Sequence, residues 1–132
     1  NIQIASKNVC VVGRSKTVGK PLSMMLLNEN ATVTICHSHT ANLKDICQRS
    51  DIVIACLGKA EYLNHQYFSP GQTVIDVGIN YSQEKQKIVG DVLFDEVSNI
   101  VENISPVPFG VGSITTSILF NHLAIAYQRS KK

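Results

Sequence analysis

The chain has 132 residues, 44% of them hydrophobic and 17% charged, with a formal net charge of +2. That length suits one domain with a real core, and the near-neutral balance, with no basic run beyond Lys131–Lys132, argues against a nucleic-acid partner. No apolar stretch approaches the roughly 18 residues needed to span a bilayer, and no charged-then-apolar segment opens the chain. The first residue is Asn1 rather than Met, as expected of a piece taken from a longer protein.

Ile2 and Ile4 alternate with polar residues and read as a short extended lead-in. Asn8–Pro21 (NVCVVGRSKTVGKP) then organises everything that follows. Val9, Val11 and Val12 make an apolar run typical of a strand buried on both faces. Gly13 ends it, a polar loop follows, and Gly19, Lys20 and Pro21 open a helical pattern. Strand, glycine loop and helix start together offer backbone N–H groups to a phosphate. The usual dinucleotide fingerprint is G-x-G-x-x-G. Here its three positions hold Gly13, Ser15 and Val18, and Gly19 comes one residue late.

Pro21 is tolerated in a helix's first turn, Leu22, Met25 and Leu26 supply one apolar face, and Asn28–Asn30 is the stop. The methionines read as core filler. Ala31–Cys36 (ATVTIC) is a β-branched second strand. Thr40 is the expected cap of a second helix, with Leu43, Ile46 and Cys47 buried. Asp51–Gly58 and Thr73–Ile79 read as third and fourth strands, with a short helix over Leu63–Ser69. Tyr81–Gln86 is turn-like, Ile88–Phe94 is an extended arm or hairpin return, and Asp95–Ile100 carries a helical turn or two. The prolines of Ile104–Pro108 keep that stretch extended. Phe109–Gly112 is a second glycine-bearing loop. Ser113 is the expected cap of the last helix, with Ile118, Leu119, His122, Leu123 and Ala126 as its buried stripe. Arg129, Lys131 and Lys132 complement that helix's dipole.

Strands alternating with helices imply an α/β domain: a Rossmann-like parallel sheet with helices on both faces, one domain over 1–132. A flavodoxin-like strand order is the structural competitor. The four cysteines (Cys10, Cys36, Cys47, Cys56) show no C-x-x-C spacing and read as small buried hydrophobes in a reducing compartment. His37 and His39 lack a third convergent ligand, so no metal site is expected.

The end of the second strand bears on which nucleotide fits. A carboxylate there bonds the free ribose hydroxyl of NAD, whereas arginine accommodates the 2′-phosphate of NADP. There is no Asp or Glu between Ala31 and Leu43. Ser38 and His37 stand there instead, and Arg14 can reach the same place. A guanidinium and a hydroxyl give a phosphate dianion its donors, which favours NADP over NAD.

With those residues in view, the chain resembles the C-terminal, nucleotide-binding half of the bifunctional methylenetetrahydrofolate dehydrogenase/cyclohydrolases. The matching pieces are VVGRSKTVGKP (Val11–Pro21), ATVTICHS (Ala31–Ser38), SDIVIACLGK (Ser50–Lys59), VIDVGIN (Val74–Asn80), VGDV (Val89–Val92) and ISPVPFGVGSIT (Ile104–Thr115). The resemblance implies that Gly13, Arg14, Ser15 and Gly19 hold the phosphates of NADP and that Ser38 sits beside the 2′-phosphate. It implies that Ile79 lies against the cofactor, and that Gly58 and the loop from Pro108 to Thr115 approach the nicotinamide. It also implies hydride transfer between 5,10-methylenetetrahydrofolate and NADP, hydrolysis of the methenyl product, a homodimer with Ile88–Phe94 as candidate contact, and a cytoplasmic or, in a eukaryote, mitochondrial setting.

The family's Y-x-x-x-K catalytic pair belongs to an N-terminal folate domain that lies outside this chain, so no catalytic residue is expected here. Tyr81 and Lys85 spell the same spacing, but in a polar turn rather than on a helix. The family loop usually reads PVPGGVGPMT; here Phe109 replaces a glycine and Ser113 a proline, and Ala60 stands where proline is common. Phenylalanine cannot copy a glycine needed for positive φ. Three readings stay open: the NADP half of the enzyme, a non-catalytic nucleotide-binding module descended from it, and an unrelated oxidoreductase using Tyr81 and Lys85.

Overall fold

The computed structural model describes residues 2–131; Asn1 and Lys132, including the latter's expected place at the last helix's end, lie outside the described residues. Strands β1 (Asn8–Val12), β2 (Thr32–Cys36), β3 (Ile52–Ala55), β4 (Thr73–Asp76) and β7 (Asn103–Ile104) form one parallel sheet in the order β2-β1-β3-β4-β7. Strands β5 (Asn80–Ser82) and β6 (Lys87–Val89) form a separate antiparallel hairpin. Helices α1 (Gly19–Asn28), α2 (Leu43–Gln48), α3 (Phe94–Val97) and α4 (Val111–Ser130) complete the chain, with a 3-10 turn over His65–Tyr67. Counted along the chain, the sheet order is 2-1-3-4-5, the doubly wound arrangement that reverses beside β1. The expected Rossmann-like parallel sheet with helices on both faces is therefore present, with a strand order that flavodoxin-like sheets share.

The alternation along β1 explains the two layers. Val9 and Val11 face one side with Ile52 and Ile54, where Leu22 and Leu26 of α1 cover them. Cys10 and Val12 face the other with Val53, Ala55 and Val74, where Leu43, Ile46 and Cys47 of α2, Leu63 and Val97 pack. Leu63 is wholly buried, and burying one such side chain is worth about 1.5–3 kcal/mol. Gln72 ties the layers at their amino ends. Its Nε2 donates to the carbonyls of Cys47 (2.7 Å) and Ser50 (2.6 Å), and its Oε1 accepts from Ser69 N–H (2.7 Å).

Several expectations are corrected. Thr40 is not the cap of α2: its hydroxyl accepts from His37 N–H at 2.8 Å and closes the His37–Thr40 turn, while Asn42, at φ 56°, precedes the helix. The apolar face of α1 uses Ser23 with Leu22 and Leu26; Met24 and Met25 are exposed, because Ser23 returns its hydroxyl to Gly19 O (2.7 Å) and fits closer to the sheet than methionine could. The helix over Leu63–Ser69 shrinks to the 3-10 turn, with Asn64 Oδ1 accepting from Gln66 N–H. Tyr81 and Ser82 are strand rather than turn, and the parallel edge strand β7 was not foreseen. Within Ile88–Phe94 only Ile88, Phe94 and part of Leu93 reach the surface; Val89–Val92 are buried, so most of that stretch is no exposed arm.

The largest departure is α4. It begins at Val111 behind Gly110, so Ser113 is inside the helix rather than its cap. None of its residues is buried, and Ile118, Leu119 and Leu123 of the expected stripe are exposed. Ile114, Phe120 and Tyr127 lie open as well. Apolar residues run around most of this helix rather than along one face, so the expected stripe does not single out a buried side.

Candidate functional site

In a doubly wound sheet, the crevice for ligand opens at the carboxyl ends of the strands where the order reverses. Here that point lies beside β1, between β2 and β3. A cleft of about 560 Å³ stands there, bordered by Gly13, Arg14 and Ser15 after β1, by His37 and Ser38 after β2, and by Cys56, Leu57 and Lys59 after β3.

Two glycines shape its floor. Gly13 has φ +140°, and a Cβ on it would meet the Cys56 carbonyl oxygen at 2.3 Å. A Cβ on Gly19 would meet the Gly13 carbonyl oxygen at 2.2 Å, so the first turn of α1 seats directly on the loop. The extra residue relative to G-x-G-x-x-G is taken up by the loop. Ser15 Oγ accepts from Val18 N–H (3.1 Å) and Gly19 N–H (3.3 Å), and Lys20 N–H reaches Ser15 O at 3.1 Å. The helix's own first donors are therefore satisfied internally. Among the described residues, the N–H groups of Arg14, Ser15, Lys16 and Thr17 make no hydrogen bond. Four successive unpaired donors beside an arginine form an anion cradle displaced from the helix tip into the loop. That donor set fits a nucleotide's phosphates.

The turn after β2 is fixed by Thr40 and by His39 N–H on His37 Nδ1 (3.2 Å). It presents Ser38 to the same cleft as Arg14. Across β1, Cys56 carries a thiol pushed up to about 11 by burial and then by the nearby Asp91 carboxylate. Tyr62 and Tyr67, with ring centroids 6.1 Å apart, stand at the outer wall, and Lys59 Nζ lies 5.1 Å from the Tyr62 ring centroid.

The cleft thus gathers Gly13, Arg14, Ser15 and Ser38; Gly19 is buried outside its lining and gives its N–H to Ser15 Oγ, so it shapes the loop rather than holding a phosphate. The cleft does not gather the remaining expected residues. Gly58, expected near the nicotinamide, is exposed on the loop after β3 but does not border this cleft, and its N–H is turned inward to Asp91 Oδ2 (3.0 Å). Ile79, 70% exposed, borders a second, mainly apolar cleft of about 300 Å³ between the end of β4 and the Pro106–Gly112 loop. Thr115 borders neither; its hydroxyl donates to Val111 O within α4 (3.0 Å), and Thr116 stands at the second cleft instead. Against the expectation that phenylalanine cannot copy a glycine at positive φ, Phe109 adopts φ 76° and is 86% exposed at that cleft's rim. Tyr81 and Lys85 do not pair: Tyr81 Oη bonds Gln86, and Lys85 Nζ lies 2.5 Å from Glu61 Oε1.

Two buried carboxylates escaped the sequence reading. Asp76 accepts from the N–H groups of Gly78 (2.9 Å), Asp91 (3.1 Å) and Val92 (2.9 Å), and burial holds its acid above the usual carboxylate range against those bonds. Asp91 accepts from Leu57, Gly58 and Lys59 N–H and from Asn80 Nδ2. The available signal was an aspartate inside each of two apolar runs, TVIDVGI and VGDVLF, where an unpartnered charge is not tolerated.

A doubly wound sheet with a glycine-built anion cradle at its switch point defines a nucleotide-binding α/β domain. The chain belongs to the tetrahydrofolate dehydrogenase/cyclohydrolase NAD(P)-binding domain family, whose model matches residues 1–131. It is 52% identical over 123 residues to the bifunctional protein FolD of Carboxydothermus hydrogenoformans, covering 92% of this chain and 43% of that protein. It is 53% identical over 125 residues to FolD 1 of Desulfitobacterium hafniense, covering 95% and 44%. Among solved structures, the Trypanosoma brucei methylenetetrahydrofolate dehydrogenase-cyclohydrolase, complexed with NADP cofactor and inhibitor, superposes with a TM-score of 0.86. It is 36% identical, and the match covers 99% of this chain and 46% of that one. The chain spans under half the length of these relatives.

Proposed function

We propose that this chain is the NADP-binding half of a folate one-carbon enzyme. The complete protein would transfer a hydride between 5,10-methylenetetrahydrofolate and NADP and hydrolyse the methenyl product. The observation that carries the reading is the set of free N–H groups at Arg14–Thr17, in the loop whose Arg14 and Ser15 border the same cleft as Ser38. The main-chain donors suit a pyrophosphate, and the guanidinium and hydroxyl suit a 2′-phosphate. Gly13 and Gly19 act by letting the loop, β3 and α1 close up around that cradle.

NADP, when bound, supplies the hydride acceptor. The folate substrate and the proton-handling groups would come from a further, N-terminal domain of the complete protein, so the chain alone would bind cofactor without turnover. The exposed apolar residues of α4 support a larger assembly than this chain. A homodimer is part of the reading, with the exposed Tyr81 and Ile88 of the β5–β6 hairpin as the candidate contact. No helix among the described residues is long and apolar enough to cross a membrane.

Calorimetric titration of the chain with NADP and with NAD tests the reading. NADP binds more tightly, and Arg14→Ala removes most of that preference, about ten- to hundredfold for a charge-assisted bond. Equal affinity for the two nucleotides, or an unchanged ratio in Arg14→Ala, sinks it. Mixing the chain with NADP and methylenetetrahydrofolate yields no reduced nicotinamide absorbance; turnover would overturn the need for a second domain.

A further inference from the structure

The loop that follows β3 has an unusual support. Leu57 N–H donates to Asp91 Oδ2 at 2.7 Å and Gly58 N–H to the same oxygen at 3.0 Å, while Lys59 N–H reaches Oδ1 at 2.8 Å. Asn80 Nδ2 completes the set on Oδ1 at 2.9 Å. Three successive N–H groups thus curl around one carboxylate, the arrangement by which a backbone nest grips an anion, here with the anion supplied by the chain itself. Asp91 is 0% exposed. Its main chain is held in turn by Asp76, and the neighbouring Gly90 leaves no room for a Cβ, which would lie 1.9 Å from Asp76 Oδ2. Beside it, Glu61 N–H bonds Gly90 O and Leu63 N–H bonds Asp91 O, so the whole stretch from Leu57 to Leu63 is moored to one segment.

A buried carboxylate is costly unless fully partnered, so the loop cannot shift without abandoning it. Its position relative to the cleft gives that rigidity a use. The adenosine side of a dinucleotide lies over the end of β2, the phosphates over the loop after β1, and the rest of the molecule continues toward β3. Leu57 and Lys59 wall the cleft there. We propose that Asp91 is a positioning residue that fixes the Leu57–Lys59 wall against the half of the dinucleotide beyond its pyrophosphate, acting through the main chain and not by touching cofactor. This rests on the NADP reading above.

The test compares two ligands on the chain as it stands: NADP, and adenosine 2′,5′-bisphosphate, which carries only the adenosine half. In Asp91→Asn one acceptor becomes a donor that faces N–H groups. NADP affinity is expected to fall about tenfold while affinity for the bisphosphate stays within about twofold. Amide exchange at Leu57, Gly58 and Lys59 accelerates in the same variant while the amides of β1 and β3 stay protected. If both ligands weaken equally, or neither does, the proposal is overturned although the NADP reading survives. If the unaltered chain binds neither ligand, the NADP reading fails and this one with it. Should Asp91→Asn not fold, Asn80→Ala removes one of the four donors and carries the comparison; the same split, about threefold, is expected, and no split overturns the proposal.

Discussion

A Cβ on Gly13 would sit 2.3 Å from the carbonyl oxygen of Cys56 and 2.7 Å from its sulfur. Two adjacent parallel strands, β1 and β3, approach each other at their carboxyl ends only because the residue after β1 has no side chain. The same residue has φ +140°, outside what an L side chain adopts readily. Gly13→Ala therefore meets both a steric and a conformational penalty, and the steric one is against backbone, which cannot rotate away. We expect a loss of about 3 kcal/mol or more, seen as a lowered urea midpoint. Gly58→Ala is the contrast: φ is +68° but nothing lies within 4 Å of the added atom, so about 1 kcal/mol is expected. Equal losses in the two variants would show that φ alone matters at Gly13.

Gln72 offers a second check, on the fold rather than the cleft. It is buried, and its amide serves Cys47 O, Ser50 O and Ser69 N–H at once. Gln72→Leu keeps the apolar stem and strands Ser50 O and Ser69 N–H, while Cys47 O keeps its bond from Ser50 N–H at 3.2 Å. The expected cost is about 2–4 kcal/mol by thermal or chemical denaturation, since each buried group left unpaired costs about 1–3 kcal/mol. A loss below about 1 kcal/mol would mean that water takes over the amide's role.

Why the sheet was legible and the outer parts were not follows from where the determinants lie. Val9–Val12 and Ile52–Ala55 are buried on both faces, so their composition is dictated locally and reads as strand at sight. The anion cradle was legible through Gly13 and Gly19 because only glycine satisfies the contacts each makes. Thr40 misled because a hydroxyl can close a turn as readily as cap a helix, and His37 N–H captured it first. Asp91 was invisible in role because its three loop partners lie 32 to 34 residues away, and no local pattern encodes a bond of that span. The stripe on α4 was wrong on both counts: apolar side chains lie around most of the helix rather than along one face, and covering them depends on a neighbour that the helix sequence does not specify.

Phe109 is the residue at which this sequence departs from its family's usual glycine, and its backbone keeps the glycine conformation. With φ 76° and 86% of its surface exposed, the side chain pays for a left-handed conformation and gains no burial. Phe109→Gly relieves about 1–2 kcal/mol of conformational cost and gives back about 0.5–1 kcal/mol through the freer unfolded chain. The variant is expected to be as stable as the natural chain or up to about 1 kcal/mol more stable, which calorimetry can read. A clear destabilisation would mean that the ring has a packing partner in solution.

Cys56 reports on the cleft and on Asp91 together. Burial, and then the negative charge of Asp91, push its thiol from 9.0 up to about 11. An acid raised on folding keeps its proton longer in the native state than in the unfolded chain. Its contribution to stability is therefore intact below pH 9 and is lost as pH climbs from 9.0 toward 11. Near pH 8 about one thiol in a thousand is ionised, so alkylation by iodoacetamide is slow, about a hundredfold slower than at an unshifted thiol. Asp91→Asn removes the second cause and is expected to speed the labelling at fixed pH. Saturating NADP is expected to slow it, because Cys56 borders the cleft. Cys10, Cys36 and Cys47, fully buried, supply the internal control and stay unlabelled in the folded chain. Mass spectrometry of the labelled peptides separates the four sites, and a Cys56 rate indifferent to both Asp91 and NADP would detach this thiol from the cleft and from the carboxylate behind it.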